Sequence, residues 1–240
     1  MRSVGLVALL LSLPTLIGCA TAVPSMSGAS TTPHDRTDLG VGGAARVPLG
    51  KLKNWAATEP DFQPDASAGG VVPMGYGRYG MSDQWDLGLL VAGTMARVDA
   101  RHETLLRDGS TRTSFVLGIA PYGGWIAASG AKAAGGRAGL EVPFTYGIEI
   151  GGVYEFWIGG RASGEWVKGD FDRDEPDILE TGWGVRIGPV VGMALGVRRF
   201  HALVELTAAY EHWSIGDPDG SRLRRNGVAL IPGFALRLRL

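Results

Sequence analysis

Cysteine is almost absent from this sequence of 240 residues, which contains a single one, Cys19. One thiol excludes an intramolecular disulfide and a metal site built from cysteines. The formal net charge is only −1, which argues against a nucleic-acid partner attracted by bulk electrostatics. The four histidines, His34, His102, His201 and His212, are scattered without the spacing of metal ligands. We therefore expect no metal and no cofactor.

Long hydrophobic runs are missing after the N-terminal region. No later segment holds about 18 consecutive apolar residues, the length typical of a membrane-spanning helix. Glycine, in contrast, is abundant, with 38 residues, about twice its average share. Many glycines interrupt apolar stretches, as at Gly75, Gly118 and Gly147. Helix interiors disfavour this composition, whereas curved and closed sheets tolerate it.

The N-terminus has the pattern of a signal peptide. Arg2 precedes an apolar run from Val4 to Ile17, which is too short for a comfortable membrane span. The run ends in Leu16-Ile17-Gly18-Cys19, which resembles the lipobox of bacterial lipoproteins. The resemblance implies cleavage before Cys19, acylation of its thiol and, because Ala20 rather than Asp follows, sorting to the outer membrane. Ordinary signal cleavage near Ala20-Thr21-Ala22 is the alternative.

The division of the chain follows from composition. Residues 1–18 form the predicted signal peptide, and residues 19–36 are rich in Ser, Thr, Ala and Pro without periodicity, so we predict a flexible lipidated tether. Residues 37–240 are long enough for one large all-β domain.

From residue 37 onward, apolar residues alternate with polar residues or glycine, as between Tyr154 and Trp166. Ten strands are predicted, at residues 37–49, 71–81, 85–92, 94–106, 112–127, 139–150, 153–167, 181–195, 201–214 and 226–240. Most exceed the roughly five or six residues usual in soluble sandwiches and match the roughly 9–11 residues that a tilted strand needs to cross a bilayer.

Short turns alternate with long polar connections. The short ones are Ser82-Asp83-Gln84, Asp108-Gly109, Gly151-Gly152 and residues 197–199, and the long ones cover residues 51–70, 128–138, 168–180 and 216–225. This asymmetry is typical of transmembrane barrels. The sequence therefore predicts an all-β, antiparallel, up-and-down transmembrane β-barrel of ten strands. Eight strands are the alternative, if the hairpin around Gly93 or the first strand is misread.

Two stretches carry a family resemblance. Tyr79-Gly80-Met81-Ser82-Asp83-Gln84-Trp85-Asp86-Leu87-Gly88 resembles a strand–turn–strand phrase of Gram-negative outer-membrane barrel proteins, and residues 142–161 look like a strand pair of such families. The resemblance implies the architecture, a location in the cell outer membrane among lipid and lipopolysaccharide, and an N-terminus anchored on the periplasmic side. It implies no activity.

The strand alternation places aliphatic and aromatic side chains on the lipid face and charged side chains in the lumen. The inner face is predicted to hold Arg46, Arg78, Arg97, Arg101, Arg161, Arg186, Arg237, Arg239, Asp86, Asp99, Glu103, Glu141, Glu149, Glu155, Glu165, Glu205 and Glu211. Buried charges must be paired or hydrated, and a ten-strand lumen is only slightly wider than one filled by side chains. We predict an ion-pair network that fills the lumen, with a narrow path for a small solute as the alternative.

One constellation could carry chemistry. His212 and Ser214, on either side of Trp213, share a strand face, so the imidazole could activate the hydroxyl. The motif is similar to the His-x-Ser of outer-membrane lipid A deacylases, in which a downstream Glu orients the histidine, but here no Glu follows Ser214. Omptin proteases, another class of ten-strand barrels, use Asp and His pairs, whereas the acidic loop at residues 170–177 has no histidine nearby.

The leading hypothesis is a monomeric, non-enzymatic outer-membrane β-barrel lipoprotein with a structural, adhesive or narrow-pore role. A membrane-embedded lipid hydrolase acting through His212 and Ser214 is one alternative. A periplasmic lipocalin-like binding barrel, tethered by Cys19, is another, although a charged interior argues against it.

Overall fold

A computed structural model describes residues 22–26, 28–53, 71–127, 134–169, 180–197, 199–216 and 222–240. The predicted signal peptide, Cys19 and the acidic loop at residues 170–177 lie outside these ranges. The lipobox and the acylation of Cys19 therefore stay predictions.

Within the described ranges, no helix combines the length and the apolar character needed to cross a membrane.

The described chain folds into long β-strands. They are β1 (Thr37–Ala45), β2 (Val47–Leu49), β3 (Val71–Gly80), β4 (Trp85–Ala92), β5 (Met95–Arg107), β6 (Thr111–Ala127), β7 (Ala134–Ile150), β8 (Tyr154–Gly169), β9 (Glu180–Val197), β10 (Phe200–Gly216) and β11 (Arg222–Arg239). From β3 onward each strand pairs antiparallel with the next, β1 pairs with β3, and β1 also pairs with β11 from Asp38 opposite Arg239 to Ala44 opposite Gly233. The sheet is therefore closed into a barrel.

Strands β1 and β2 fill one position of the barrel. β2 pairs with β11 in the register that β1 begins, with Leu49 opposite Val228. In this register Ala45 faces Pro232, which has no backbone N–H to donate, and the ladder is interrupted there. The barrel thus has ten strand positions, as predicted. The eight-strand alternative is wrong, because the hairpin around Gly93 is formed by β4 and β5.

The two ends of the barrel differ. At one end, the turn end, short connections join β3 to β4, β5 to β6, β7 to β8 and β9 to β10. Gly151 and Gly152, in the β7–β8 turn, have φ angles of 58° and 66°, the left-handed conformation that two-residue hairpin turns require. At the opposite end, the loop end, the connections are longer, except for the tight β4–β5 turn.

Burial alternates along the strands, as in β4, where every second residue is buried. The exposed positions are apolar: Ile119 is 51% exposed and Leu236 65%. Other exposed apolar residues are Leu39, Val41, Leu87, Leu89, Val98, Leu117, Leu140, Phe144, Ile158, Val185, Ile187, Val204, Leu206 and Phe234. Arginine and carboxylate side chains occupy buried positions instead. This distribution is the inverse of a water-soluble protein, in which charged residues are almost never fully buried unless paired.

Candidate functional site in the barrel lumen

The charged residues predicted for the lumen lie inside the barrel. Arg78, Arg97, Asp99, Arg101, Glu103, Glu155, Arg161, Arg186, Glu205 and Arg237 are buried, and the side chain of Glu149 is 17% exposed. Arg97 and Arg161 both pair with Glu141, and Glu103 pairs with Arg112. Three further groups of ion pairs are formed among the described residues of the wall.

The first group joins β3, β4 and β5 towards the turn end. Arg78 contacts Asp99 at 2.6 Å and Asp86 at 3.4 Å. Arg101 forms a bidentate ion pair with the same Asp86. The charges along β5 alternate in sign. Asp99 pairs with Arg78 of β3 and Arg101 pairs with Asp86 of β4, so these ion pairs join different strands. Cross-strand pairing of this kind satisfies charges that would otherwise be buried alone.

The second group lies where β1 and β11 close the barrel. Arg237 of β11 pairs with Glu155 of β8, which lies across the lumen from it. Arg239 contacts Glu155 at 3.1 Å and Asp38 of β1 at 3.4 Å. Asp38 and Arg239 lie opposite each other on the neighbouring strands β1 and β11. The two pairs of Glu155, with Arg237 and Arg239, join strands that are not neighbours in the sheet, so they cross the lumen and narrow it.

The third group lies towards the loop end. Arg186 contacts Glu165 at 3.0 Å and Glu211 at 3.3 Å, and Arg46 contacts Glu211 at 2.6 Å. The Arg186 guanidinium also lies 4.9 Å from the ring centre of buried Trp213, a cation–π arrangement. Arg46 occupies the interruption between β1 and β2 and points inward.

The N-terminal segment is the feature that the sequence did not indicate. Residues 19–36 were expected to form a flexible tether, but the structure places residues 22–26 and 28–32, here called the lumen segment, inside the barrel, where they are buried. A segment of small and polar residues lacks the apolar surface to fold alone. Its small side chains nevertheless fit a narrow lumen, and the charged wall supplies partners for its backbone.

Carboxylates of the wall accept hydrogen bonds from the backbone amides of the lumen segment. The four contacts are Ser25 to Glu205 at 2.6 Å, Ala29 to Glu155 at 3.3 Å, Thr31 to Glu103 at 2.8 Å and Thr32 to Asp86 at 2.8 Å. Charge-assisted hydrogen bonds of this kind are about twice as strong as neutral ones. The segment thus shares two of these acceptors, Asp86 and Glu155, with arginines of the ion-pair groups.

Wall donors reach the backbone carbonyls of the same segment. The contacts are Arg161 to Val23 at 2.7 Å, Arg97 to Ser25 at 2.8 Å, Arg101 to Ser30 at 3.4 Å and Ser114 to Ala29 at 2.8 Å. A buried backbone must have partners for its N–H and C=O groups. Here side chains of the wall provide many of the partners that a neighbouring strand would otherwise provide.

Glycines of the wall give the lumen segment room. A Cβ atom built on Gly147 would lie 2.1 Å from the carbonyl oxygen of Ala29, and one on Gly233 would lie 2.2 Å from Pro24. Both distances are far below van der Waals contact. Glycine at these two positions is therefore a condition for the segment to occupy the lumen.

The lumen segment has a defined direction. Its C-terminal end leaves at the turn end, where His34 forms a bridge with Gly80, the last residue of β3. At its other end, Ala22 packs against Ala209 and Ile231, halfway along β10 and β11. The chain therefore runs, towards its N-terminus, from the turn end to the middle of the lumen.

Little free space remains beside Val23 of the segment. The cavity next to Val23, lined also by Tyr122 and Arg161, has a volume of about 10 Å³, which barely holds one water molecule. Tyr122 donates a hydrogen bond to Glu165 at 2.9 Å. The described side chains therefore nearly fill the space beside Val23.

His212 and Ser214 make separate contacts in the described structure. The ring of His212 contacts the outward-facing Trp183, with the ring centres 5.3 Å apart, and no hydrogen bond joins His212 to Ser214. Ser214 is buried. His102 packs against Trp85 in the same way, at 4.7 Å.

No group of histidine, cysteine or acidic side chains suited to hold a metal ion occurs among the residues that the structure describes.

No family model and no curated protein matches this chain. Solved outer-membrane β-barrel proteins resemble it in structure. The outer membrane protease OmpT from Escherichia coli is 10% identical with a TM-score of 0.43, and the match covers 85% of this chain and 96% of that chain. Ail, the attachment invasion locus protein of Yersinia pestis, is 9% identical with a TM-score of 0.33, covering 86% and 99%. Neisserial surface protein A is 13% identical with a TM-score of 0.35, covering 85% and 95%.

Similarities at these identities and TM-scores do not indicate an activity. The fold is assigned from the strand pairing itself. The chain is a closed, antiparallel, ten-stranded β-barrel whose lumen is occupied by its own N-terminal segment.

Proposed function

We propose that the protein is a non-enzymatic β-barrel of the Gram-negative outer membrane, with a structural role and a lumen closed by the lumen segment. The observation that carries the proposal is the outward aliphatic surface around a charged interior, exemplified by Ile119 and Val204, each about half exposed. Contiguous apolar surface of this extent marks a membrane or protein contact, and a closed barrel satisfies the backbone hydrogen bonds of every strand within a bilayer.

Aromatic residues near the ends of the strands support a membrane location. Tyr79 and Trp85 lie at the turn end, and Trp125, Trp166 and Trp183 lie towards the loop end, all at least 41% exposed. Tyrosine and tryptophan favour the interface between hydrocarbon and head groups. Two such girdles fit the outer-membrane lipid and lipopolysaccharide that we propose as surroundings of a monomer.

A structural role fits the lumen better than open-pore transport does. The lumen segment and the cross-lumen ion pair of Arg237 with Glu155 block the path. Conduction of a small solute would require the segment to leave. A lipocalin-like role is disfavoured, because lipocalins enclose an apolar ligand cavity, whereas this interior is charged and filled.

Lipid attachment at Cys19 is part of the proposal, and it limits where the lumen segment can lie at the same time. Cys19 is three residues from Ala22, a reach of at most about 11 Å, and Ala22 lies at mid-height in the lumen. An acyl anchor in the periplasmic leaflet, on the side of the turn end, and an occupied lumen are therefore alternative states of the chain. Mass spectrometry of the mature N-terminus tests the anchor, and a diacylglyceryl group on Cys19 is the expected finding.

Fractionation of cells tests the location. We expect the protein in the outer-membrane fraction, where it migrates faster on gels before heating than after, as folded barrels do. Recovery as a soluble periplasmic protein without detergent would contradict the proposal.

A further inference from the structure

We propose that the lumen wall is a binding site for a polypeptide segment, recognised through its main chain, and that it takes a peptide in trans when the chain's own segment is absent. The ligand class is a peptide rich in small residues such as Ala, Ser, Thr, Pro and Gly, which bends as this segment does at Met26 and Gly28, where φ is 47° and 70°. The proposal concerns the interior of the folded barrel and does not depend on the membrane in which the barrel resides.

The contacts are those of main-chain recognition. Carboxylates on β4, β5, β8 and β10 accept hydrogen bonds from backbone amides at four positions, and arginines on β5 and β8 donate to backbone carbonyls. Both groups are present in any peptide bond. Side-chain hydrogen bonds from the segment are fewer: Ser25 to Glu205, Ser30 to Glu149 and Thr31 to Glu103.

The wall is shaped for a narrow ligand. Gly147 and Gly233 come so close to the segment that even a methyl group on either would overlap with it. Gly147 thereby makes room for the backbone at Ala29, and Gly233 makes room for the side chains of Pro24 and Met26. Glycines at the closest approach and charges on the wall between them are two independent observations that point to the same ligand class.

The site also has a polarity. In the bound segment the N-terminal residue Ala22 lies in mid-lumen, and His34 lies at the turn end. A peptide that enters from the turn end would therefore lead with its N-terminus. In the outer membrane, with the turn end on the periplasmic side, this geometry favours the N-terminal tail of an exported chain.

The test uses the barrel without residues 22–32, folded in detergent and checked by its heat-modifiable migration. A fluorescent peptide of the sequence of residues 22–32 is added, and its anisotropy is measured. We expect saturable binding at one peptide per barrel. The full-length barrel, whose own segment occupies the site, is expected to bind at least tenfold less. Absence of saturable binding to the folded deletion variant would overturn the proposal.

Two peptide variants distinguish main-chain from side-chain recognition. N-methylation of the amides at Ser25 and Thr31 removes two donors and is expected to weaken binding by more than tenfold. A scrambled peptide of the same composition is expected to bind within tenfold of the original. If the scrambled peptide fails to bind while the methylated peptide binds normally, recognition depends on side chains and the proposal is wrong.

Matched variants of the wall locate the site. In the deletion background, Glu205→Gln is expected to weaken peptide binding by about tenfold, because Glu205 accepts both the amide and the hydroxyl of Ser25. Glu165→Gln, which changes a buried carboxylate that contacts Tyr122 and Arg186, is expected to alter the affinity less than twofold. Equal effects of the two substitutions would overturn the assignment of the site.

Discussion

Ser25 and Glu205, 180 residues apart in the sequence, are joined by hydrogen bonds in the centre of the barrel: the amide of Ser25 lies 2.6 Å and its hydroxyl 2.9 Å from the same carboxylate oxygen, and the hydroxyl lies 3.1 Å from the other oxygen. Trp157 of β8 donates a further bond to this carboxylate, at 3.2 Å. The contact thus links the N-terminal segment to two strands of the wall, and it makes the segment a part of the folded barrel.

The first prediction concerns the stability of the barrel. Glu205→Ala leaves the donors of Ser25 and Trp157 buried without their acceptor, so we expect the free energy of unfolding to fall by about 2–3 kcal/mol. Glu149→Ala, in which the lost carboxylate is partly exposed and accepts a bond from Ser30 at 2.9 Å, is expected to cost about 1 kcal/mol or less. Urea unfolding in detergent micelles measures both. A larger loss for Glu149→Ala would contradict the central position of the Ser25 contact.

The second prediction concerns the close approach at Gly147. Gly147→Val places a Cβ atom where the backbone of Ala29 lies, so the lumen segment is expected to leave the lumen while the barrel persists. In a Cys19→Ser background, a thiol introduced as Ser25→Cys then reacts with a maleimide reagent at least tenfold faster than in the parent. Gly164→Val is the control, because Gly164 faces outward and has open space around it. Equal labelling of the two variants would refute the close packing at Gly147.

The third prediction concerns the lipid-facing surface. Ile119→Arg puts a charge at the middle of β6 on the outward face, so we expect a loss of about 2–4 kcal/mol in folding into lipid vesicles. Val197→Arg, also exposed but at the turn end of β9, is expected to cost about 0–1 kcal/mol. The fraction that folds, read from heat-modifiable migration, measures both changes. Equal tolerance of the two charges would mean that no hydrocarbon surrounds β6.

The fourth prediction concerns the His212-Trp213-Ser214 motif. Because the ring of His212 packs against Trp183 and Ser214 is buried, we expect Ser214→Ala to leave the acylation of lipid A unchanged. Mass spectrometry of lipid A from cells that express the parent or the variant measures this. An acyl chain removed by the parent and retained with Ser214→Ala would establish a hydrolase instead.

The strands and their faces follow from local pattern, whereas the occupant of the lumen does not. Alternation along residues 154–166 predicts β8 because each residue type reports directly which side of the sheet it faces. The interruption between β1 and β2 escaped prediction, since it depends on Pro232 of a distant strand. The predicted bounds of β7 and β11 were several residues too short at the loop end.

The lumen segment escaped prediction for a related reason. Its composition is that of a disordered tether, and its order comes from partners far along the chain, such as Glu103 and Glu205. The segment has no hydrophobic periodicity from which these contacts could be predicted. The alternating charges of the wall could be read from the sequence. The sequence did not show that the same side chains also form hydrogen bonds with the backbone of the lumen segment.

Single-channel recording in planar bilayers tests the central claim most directly, because the claim requires both a membrane-inserted barrel and a lumen closed by the lumen segment. The chain from residue 19 onward, prepared without the acyl anchor, is predicted to insert without conductance steps, and the variant without residues 22–32 is predicted to show stable ion-conducting steps. Steps of equal size from both proteins would contradict the account, as would a deletion variant that folds and inserts yet conducts no ions.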